Sequence, residues 1–190
     1  MDKFKLHTVA TAPEKSKTQL EDSFKAFGMI PNLHAAMAES PAVLEAYKTL
    51  HRLFSEETAF NADELTVIWQ SINVENACHY CVPAHTGIAH SMKVDPQITT
   101  ALRDETPLED AKLEALRSTT LKVIRNRGLL TENDLTDFYE AGYTNQHLLE
   151  IFLGYSQKIL SNYTNHVAQT PVDDAFKKFV WEKNAAEVIA

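Results

Sequence analysis

Apolar residues recur along this chain at intervals of three and four, the spacing that gathers them on one face of an α-helix, and no convincing strand-like alternation appears. After an irregular arm over residues 1–12, Ala12-Pro13-Glu14 opens a helix that carries Leu20, Phe24 and Phe27 and stops at Gly28. Pro31 and Pro41 start two more, the second with Val43, Leu44, Tyr47, Leu50 and Phe54 as one stripe. Asn61 followed by Glu64 has the spacing of a capping box, and Leu65, Ile68, Trp69 and Ile72 give the helix behind it a buried face. Pro83 fits without strain only in a first helical turn, so a helix begins close to Cys81 and breaks near Lys93.

Asp95-Pro96 then caps and opens the next segment. Residues 109–127, with Leu113, Leu116, Val123 and Ile124, form an amphipathic helix ended by Gly128, and Thr131 to Asp134 caps another that stops at Gly142. Thr144 starts a long helix bearing Leu148, Leu149, Ile151, Phe152, Leu153, Tyr155, Ile159 and Leu160, apolar around most of its circumference and ended by Pro171. Asp173 to Glu187 makes a last amphipathic helix with Phe176, Phe179, Val180 and Trp181. The class is all-α, and 190 residues suit a single domain over 1–190 with a substantial core.

A net charge of -8 with no basic cluster argues against a nucleic-acid surface. The charged N-terminus lacks the apolar stretch of a secretory signal, and no apolar run is long enough to span a bilayer, so a soluble cytoplasmic protein is expected. The only two cysteines stand together as Cys78-His79-Tyr80-Cys81. In such a compartment that pairing points to redox or metal chemistry rather than a structural staple. Cys78 falls just outside the helix and Cys81 in its opening turn, where free N–H groups and the helix dipole favour a thiolate. His85 lies one turn further along the same face.

A zinc site built from Cys78, Cys81 and His85 with His79 or His90 is the competing chemistry, disfavoured because His79 sits inside the cysteine loop and His90 points elsewhere. Two buried thiols acting as small apolar groups are the plain alternative. His166 stands out in the polar run Asn162-Tyr163-Thr164-Asn165-His166 that finishes an otherwise apolar helix, where buried polar groups need partners.

At Cys78-His79-Tyr80-Cys81 and His85, entering a helix and preceded by a capped one, the sequence resembles the carboxymuconolactone decarboxylase superfamily in its AhpD-like, or alkylhydroperoxidase-like, branch. Phe27-Gly28-Met29-Ile30-Pro31-Asn32-Leu33 and Ser40-Pro41 also look like that branch's peroxidase-related members. The likeness covers most of the chain, with residues 55–127 closest to the family core. It implies an AhpD-like helical bundle, assembly into homo-oligomers (trimers or hexamers), and reduction of hydroperoxides by the cysteine pair.

The family's proton relay joins the second cysteine and the histidine to a glutamate about three turns before the first cysteine. Here the position twelve residues before Cys78 is Thr66, and the nearest acids are Glu64 and Glu75. Glu75, three residues before Cys78, is the expected replacement, since Glu64 has the capping role available. The expected chemistry is therefore a thiol peroxidase with Cys78, Cys81, His85 and Glu75 as catalytic residues. Cys81 attacks the peroxide with His85 as proton acceptor, Cys78 resolves the sulfenic acid, and an external dithiol reopens the disulfide. No organic cofactor is required. Lactone decarboxylation, which does not use a cysteine pair, and a non-enzymatic redox-sensing or zinc-binding module are the alternatives.

Overall fold

The computed structural model describes residues 4–183, and within them all regular structure is helical. Helices α1 (Glu14–Phe27), α2 (Asn32–Met37) and α3 (Pro41–Glu56) lead into α4 (Ala62–Glu75) and α5 (Cys81–Ser91). Then come α6 (Pro96–Arg103), α7 (Ala111–Arg125), α8 (Glu132–Glu140) and α9 (Asn145–Ala168). Most starts follow from local chemistry. Asn61 accepts from the Glu64 N–H while the Glu64 carboxylate accepts from Asn61, completing the expected capping box. Asp95 and Asp110 accept from the first free N–H groups of α6 and α7, and Lys93 at φ 62 breaks the chain between α5 and α6.

Helix α4 is the hub. Every residue from Glu64 to Val74 is buried, and α4 packs against α5, α6, α7 and α9. One core gathers Phe54, Ile68, Trp69, Ile72, Leu102, Leu116, Phe138 and Ile151. A second, with Leu20, Leu33, Met37, Leu44 and Tyr47, closes around Cys78 and Cys81. Gly154 lets α9 approach α3 closely, for a Cβ there would stand 2.6 Å from the buried Phe54 ring. Among the described residues, no helix is long and apolar enough to cross a membrane.

Three expectations are corrected. Phe24 and Phe27 are more than half exposed, and α1 docks instead through Leu20 with the small residues Ser16 and Ser23. Helix α9 is not apolar all round: Leu149, Tyr163 and Val167 are exposed, and its buried face turns polar after Gly154. The last segment is a short 3-10 helix, Asp174–Phe179, followed by irregular chain through residue 183; residues 184–187 of the expected helix lie outside the described residues. Its carbonyl groups explain the difference. Those of Phe179 and Val180 accept from the Arg103 guanidinium, while Trp181 Nε1 donates to the Arg103 carbonyl. Phe176 meanwhile packs on α5 at Gly87, where a Cβ would meet its ring at 2.6 Å.

Candidate functional site

The Cys-x-x-Cys turn joins α4 to α5 beneath α9, and buried amides hold it in place. Asn73 donates to Gln70 and to the Cys81 carbonyl, Gln70 donates to the Val82 carbonyl and Thr86, and Asn162 of α9 donates to Asn73. Every one of these amides is fully buried, so the network fixes the turn at the cost of tolerating no unmatched partner. Behind the turn, Asp173 accepts from Tyr80 and from the Asn32 N–H, tying the chain after α9 to α2 and to the motif.

The helix mouth serves the first cysteine. The Cys81 N–H points at the sulfur of Cys78, 3.3 Å away. Cys81 instead receives hydrogen bonds from the Cys78 thiol and from α9, with Asn165 Nδ2 at 3.2 Å and further bonds from Ser161 and Lys158. Burial by itself would push the Cys81 thiol up. The hydrogen bond from the Cys78 thiol, the Lys158 charge, Ser161 and Asn165 outweigh it and bring Cys81 below an ordinary thiol. Cys78 is driven the other way, by that same hydrogen bond, by burial and by the charge on Cys81. The two opposite shifts favour the thiolate on Cys81, with the Cys78 thiol and the α9 residues, rather than the α5 terminus, as the groups that lower it.

His85 lines the same cavity as Cys81. Its Nε2 is 2.9 Å from Lys158 Nζ, its ring lies against Trp69, and its Nδ1 is buried without a partner among the described residues. Burial, then the charge on Lys158, holds the imidazole neutral well below its ordinary range. Lys158 is completely buried, which pushes its ammonium down, while the two cysteine sulfurs pull it back up. His51 from α3 accepts from Gln157 and stacks between Tyr47 and Trp69; burial and the Lys158 charge hold it down to about 4.

These groups face a cavity of about 430 Å3. Cys81, His85, Lys158, His51 and Tyr47 form its polar side, and Phe27, Met29, Leu33, Ile88, Met92 and Phe176 much of the rest. Cys78 is not among the lining residues.

Glu75 is not brought to this group. Its carboxylate takes a bidentate hydrogen bond from Arg125, at 2.8 Å for each contact, and lines a different, more polar hollow beside α7. Glu64 is also engaged, in its cap, with Tyr143 and with Lys112, and the Thr66 hydroxyl donates to the Ala62 carbonyl. The zinc alternative finds its ligands dispersed. His79 donates to the Thr170 carbonyl and His90 lies near Phe179, and among the described residues no three His, Cys, Asp or Glu side chains are gathered to hold a metal ion.

From the polar run at the end of α9, His166 turns to stack on Tyr163, while Asn162 and Asn165 turn inward. Lys158, Ser161 and Asn165 are the residues that sequence reasoning missed. The available signal was Gln157, Lys158, Ser161, Asn162 and Asn165 recurring on one face of an apolar helix.

The fold recurs in solved structures. The chain superposes with a TM-score of 0.79 on the alkylhydroperoxidase AhpD core of an uncharacterized peroxidase-related protein from Ralstonia eutropha, at 20% identity, covering 93% of this chain and 96% of that one. An uncharacterized peroxidase-related protein from a Silicibacter species matches with a TM-score of 0.72 and 18% identity, covering 92% and 95%. No family model matches the sequence, and no curated protein matches it. The fold is AhpD-like.

Proposed function

We propose that this protein is a thiol peroxidase that reduces organic hydroperoxides through Cys81 and Cys78. One observation carries the reading: the stabilised thiolate of the pair lies on the wall of a largely apolar cavity, with its partner thiol in hydrogen-bond contact away from that cavity. A peroxide entering the cavity meets Cys81 first. The thiolate attacks the terminal peroxide oxygen, the O–O bond breaks, and Cys81 becomes a sulfenic acid while the alkoxide leaves and takes a proton from His85. The Cys78 thiol then attacks the Cys81 sulfur, releasing water and forming the disulfide. An external dithiol reduces that disulfide and restores both sulfurs.

His85 acts here as a proton donor rather than as the base that generates the thiolate. Its imidazole resists protonation, and Cys81 already has α9 to hold its charge. The apolar lining supports a hydroperoxide with a hydrocarbon body, since such a substrate loses little by leaving water.

Dithiol-dependent consumption of cumene hydroperoxide tests the reading. Wild-type protein is expected to turn over, Cys81→Ser to lose turnover, and Cys78→Ser to stop after one equivalent. Turnover by Cys81→Ser at the wild-type rate contradicts it.

A further inference from the structure

Catalysis of the peroxide step needs a proton for the alkoxide, and among the described residues no carboxylate stands where one would be expected to manage it. Glu75 is bound to Arg125, Glu64 serves its cap, and Thr66 bonds its own helix. What does touch His85 is a cation. Lys158 Nζ lies 2.9 Å from Nε2, and the opposite ring nitrogen, Nδ1, is buried with no partner among the described residues. Both residues line the cavity with Cys81.

An ammonium has hydrogens to give and no lone pair to accept with, so in this contact Nε2 must be the bare nitrogen and the ring proton must sit on Nδ1. The titratable groups around Lys158 are Cys78 and Cys81 from the turn, His85 from α5, and Tyr47 and His51 from α3; among the described residues no carboxylate contacts it. The thiolate is its counter-charge.

We propose that Lys158 is the proton source and positioning residue of the peroxide step: it donates to His85 Nε2, fixes the ring proton at Nδ1, and replaces that proton as the ring gives it to the departing alkoxide. The inference rests on the peroxidase reading above. In the first step the Cys81 thiolate takes the terminal oxygen, the alkoxide takes the Nδ1 proton, and the Lys158 proton passes to Nε2, leaving a neutral amine. Disulfide formation releases water, made from the sulfenic hydroxyl and the Cys78 proton. The external dithiol then delivers two hydrogens; one returns to Cys78, and the other enters the ring at Nδ1 as the Nε2 proton passes back to Lys158, restoring the ammonium and the starting tautomer while Cys81 leaves as thiolate. The amine also loses its charge as the thiolate loses its own, so no unpaired charge is left buried.

Two oxidants separate this role from simple support of the thiolate. An alkoxide leaving group needs a proton, whereas the carboxylate leaving from a peroxy acid does not. Loss of thiolate stabilisation slows both reactions, so their ratio isolates the proton. In Lys158→Met, single-turnover oxidation by tert-butyl hydroperoxide is expected to fall about 100-fold more than oxidation by peracetic acid, within the usual range for general acid catalysis. Equal losses with the two oxidants would overturn the relay and leave the peroxidase reading standing. Wild-type protein that reacts with neither oxidant would overturn the peroxidase reading, and the relay with it. Should Lys158→Met fail to fold, nitrogen NMR of wild-type His85 gives the answer without a variant. A protonated Nδ1 with bare Nε2 is expected at neutral pH, and a protonated Nε2 overturns the proposal.

Discussion

The side-chain nitrogen of Asn165 lies 3.2 Å from the sulfur of Cys81, 84 residues earlier in the chain. That contact helps to lower the Cys81 thiol, because a hydrogen bond to a charged group contributes roughly 1.5–3 kcal/mol and about 1.4 kcal/mol shifts a pKa by one unit. Asn165→Leu should therefore raise the Cys81 thiol and slow its alkylation by iodoacetamide at neutral pH about tenfold. Alkylation at an unchanged rate would assign the thiolate's stability to the Cys78 thiol, Lys158 and Ser161 without Asn165.

Glu75 offers the contrasting case. Its bidentate bond to Arg125 is largely exposed on the arginine side, so its loss costs stability less than about 1 kcal/mol. Glu75→Gln should leave the single-turnover peroxide rate within about threefold of wild type, because general acid–base groups contribute roughly 100-fold or more. A 100-fold fall would return this carboxylate to the relay.

Close approach of α3 and α9 at Gly154 sets the position of Lys158, one turn further on. Alanine normally favours a helix over glycine by about 1 kcal/mol, but here its methyl group meets a ring that is itself fully buried. Overpacking costs about 1–3 kcal/mol, so Gly154→Ala should lower stability in urea denaturation. A raised midpoint would mean that the helices can part freely.

Buried imidazoles make the fold sensitive to acid. Burial first, with the Lys48 and His51 charges next, holds His34 down to about 3; burial and Lys158 hold His51 down to about 4. The unfolded chain takes up protons at these rings below about pH 6.5, while the folded chain does not. Stability is therefore full above that pH and falls as pH drops. The share from His51 is lost by about pH 4 and that from His34 by about pH 3, each at about 1.4 kcal/mol per pH unit. His51→Gln should make the decline between pH 6 and 4 shallower by about one proton in urea titrations. An unchanged slope would show that His51 is protonated in the folded state.

Much of this molecule is legible in its sequence, because helix starts are written locally. Asn61 with Glu64, Asp95 with Pro96, and Pro83 after Cys81 each declare a boundary through groups only a few residues apart. Cys81 and His85 are legible for the same reason, since one helical turn puts both on the cavity wall. Their chemical environment is not. Lys158 and Asn165 arrive from α9, and a lysine amid leucines and isoleucines looks like a surface residue until packing turns it inward. Glu75 is near Cys78 in sequence but on a face of α4 that meets Arg125, so proximity along the chain misplaced it. The end of the chain went astray differently. Phe176 and Phe179 do have helical spacing, yet Arg103 and Gly87 provide a better docking site than a further α-turn would.

The most direct test is mass spectrometry of reduced Cys78→Ser protein after one equivalent of cumene hydroperoxide, with wild type alongside. The expected result is one added oxygen on Cys81 in the variant, and in wild type the loss of two hydrogens as Cys78 and Cys81 join. Oxidation appearing first on Cys78 in a Cys81→Ser chain, or no change on either sulfur, would contradict attack by a cavity-facing Cys81 thiolate.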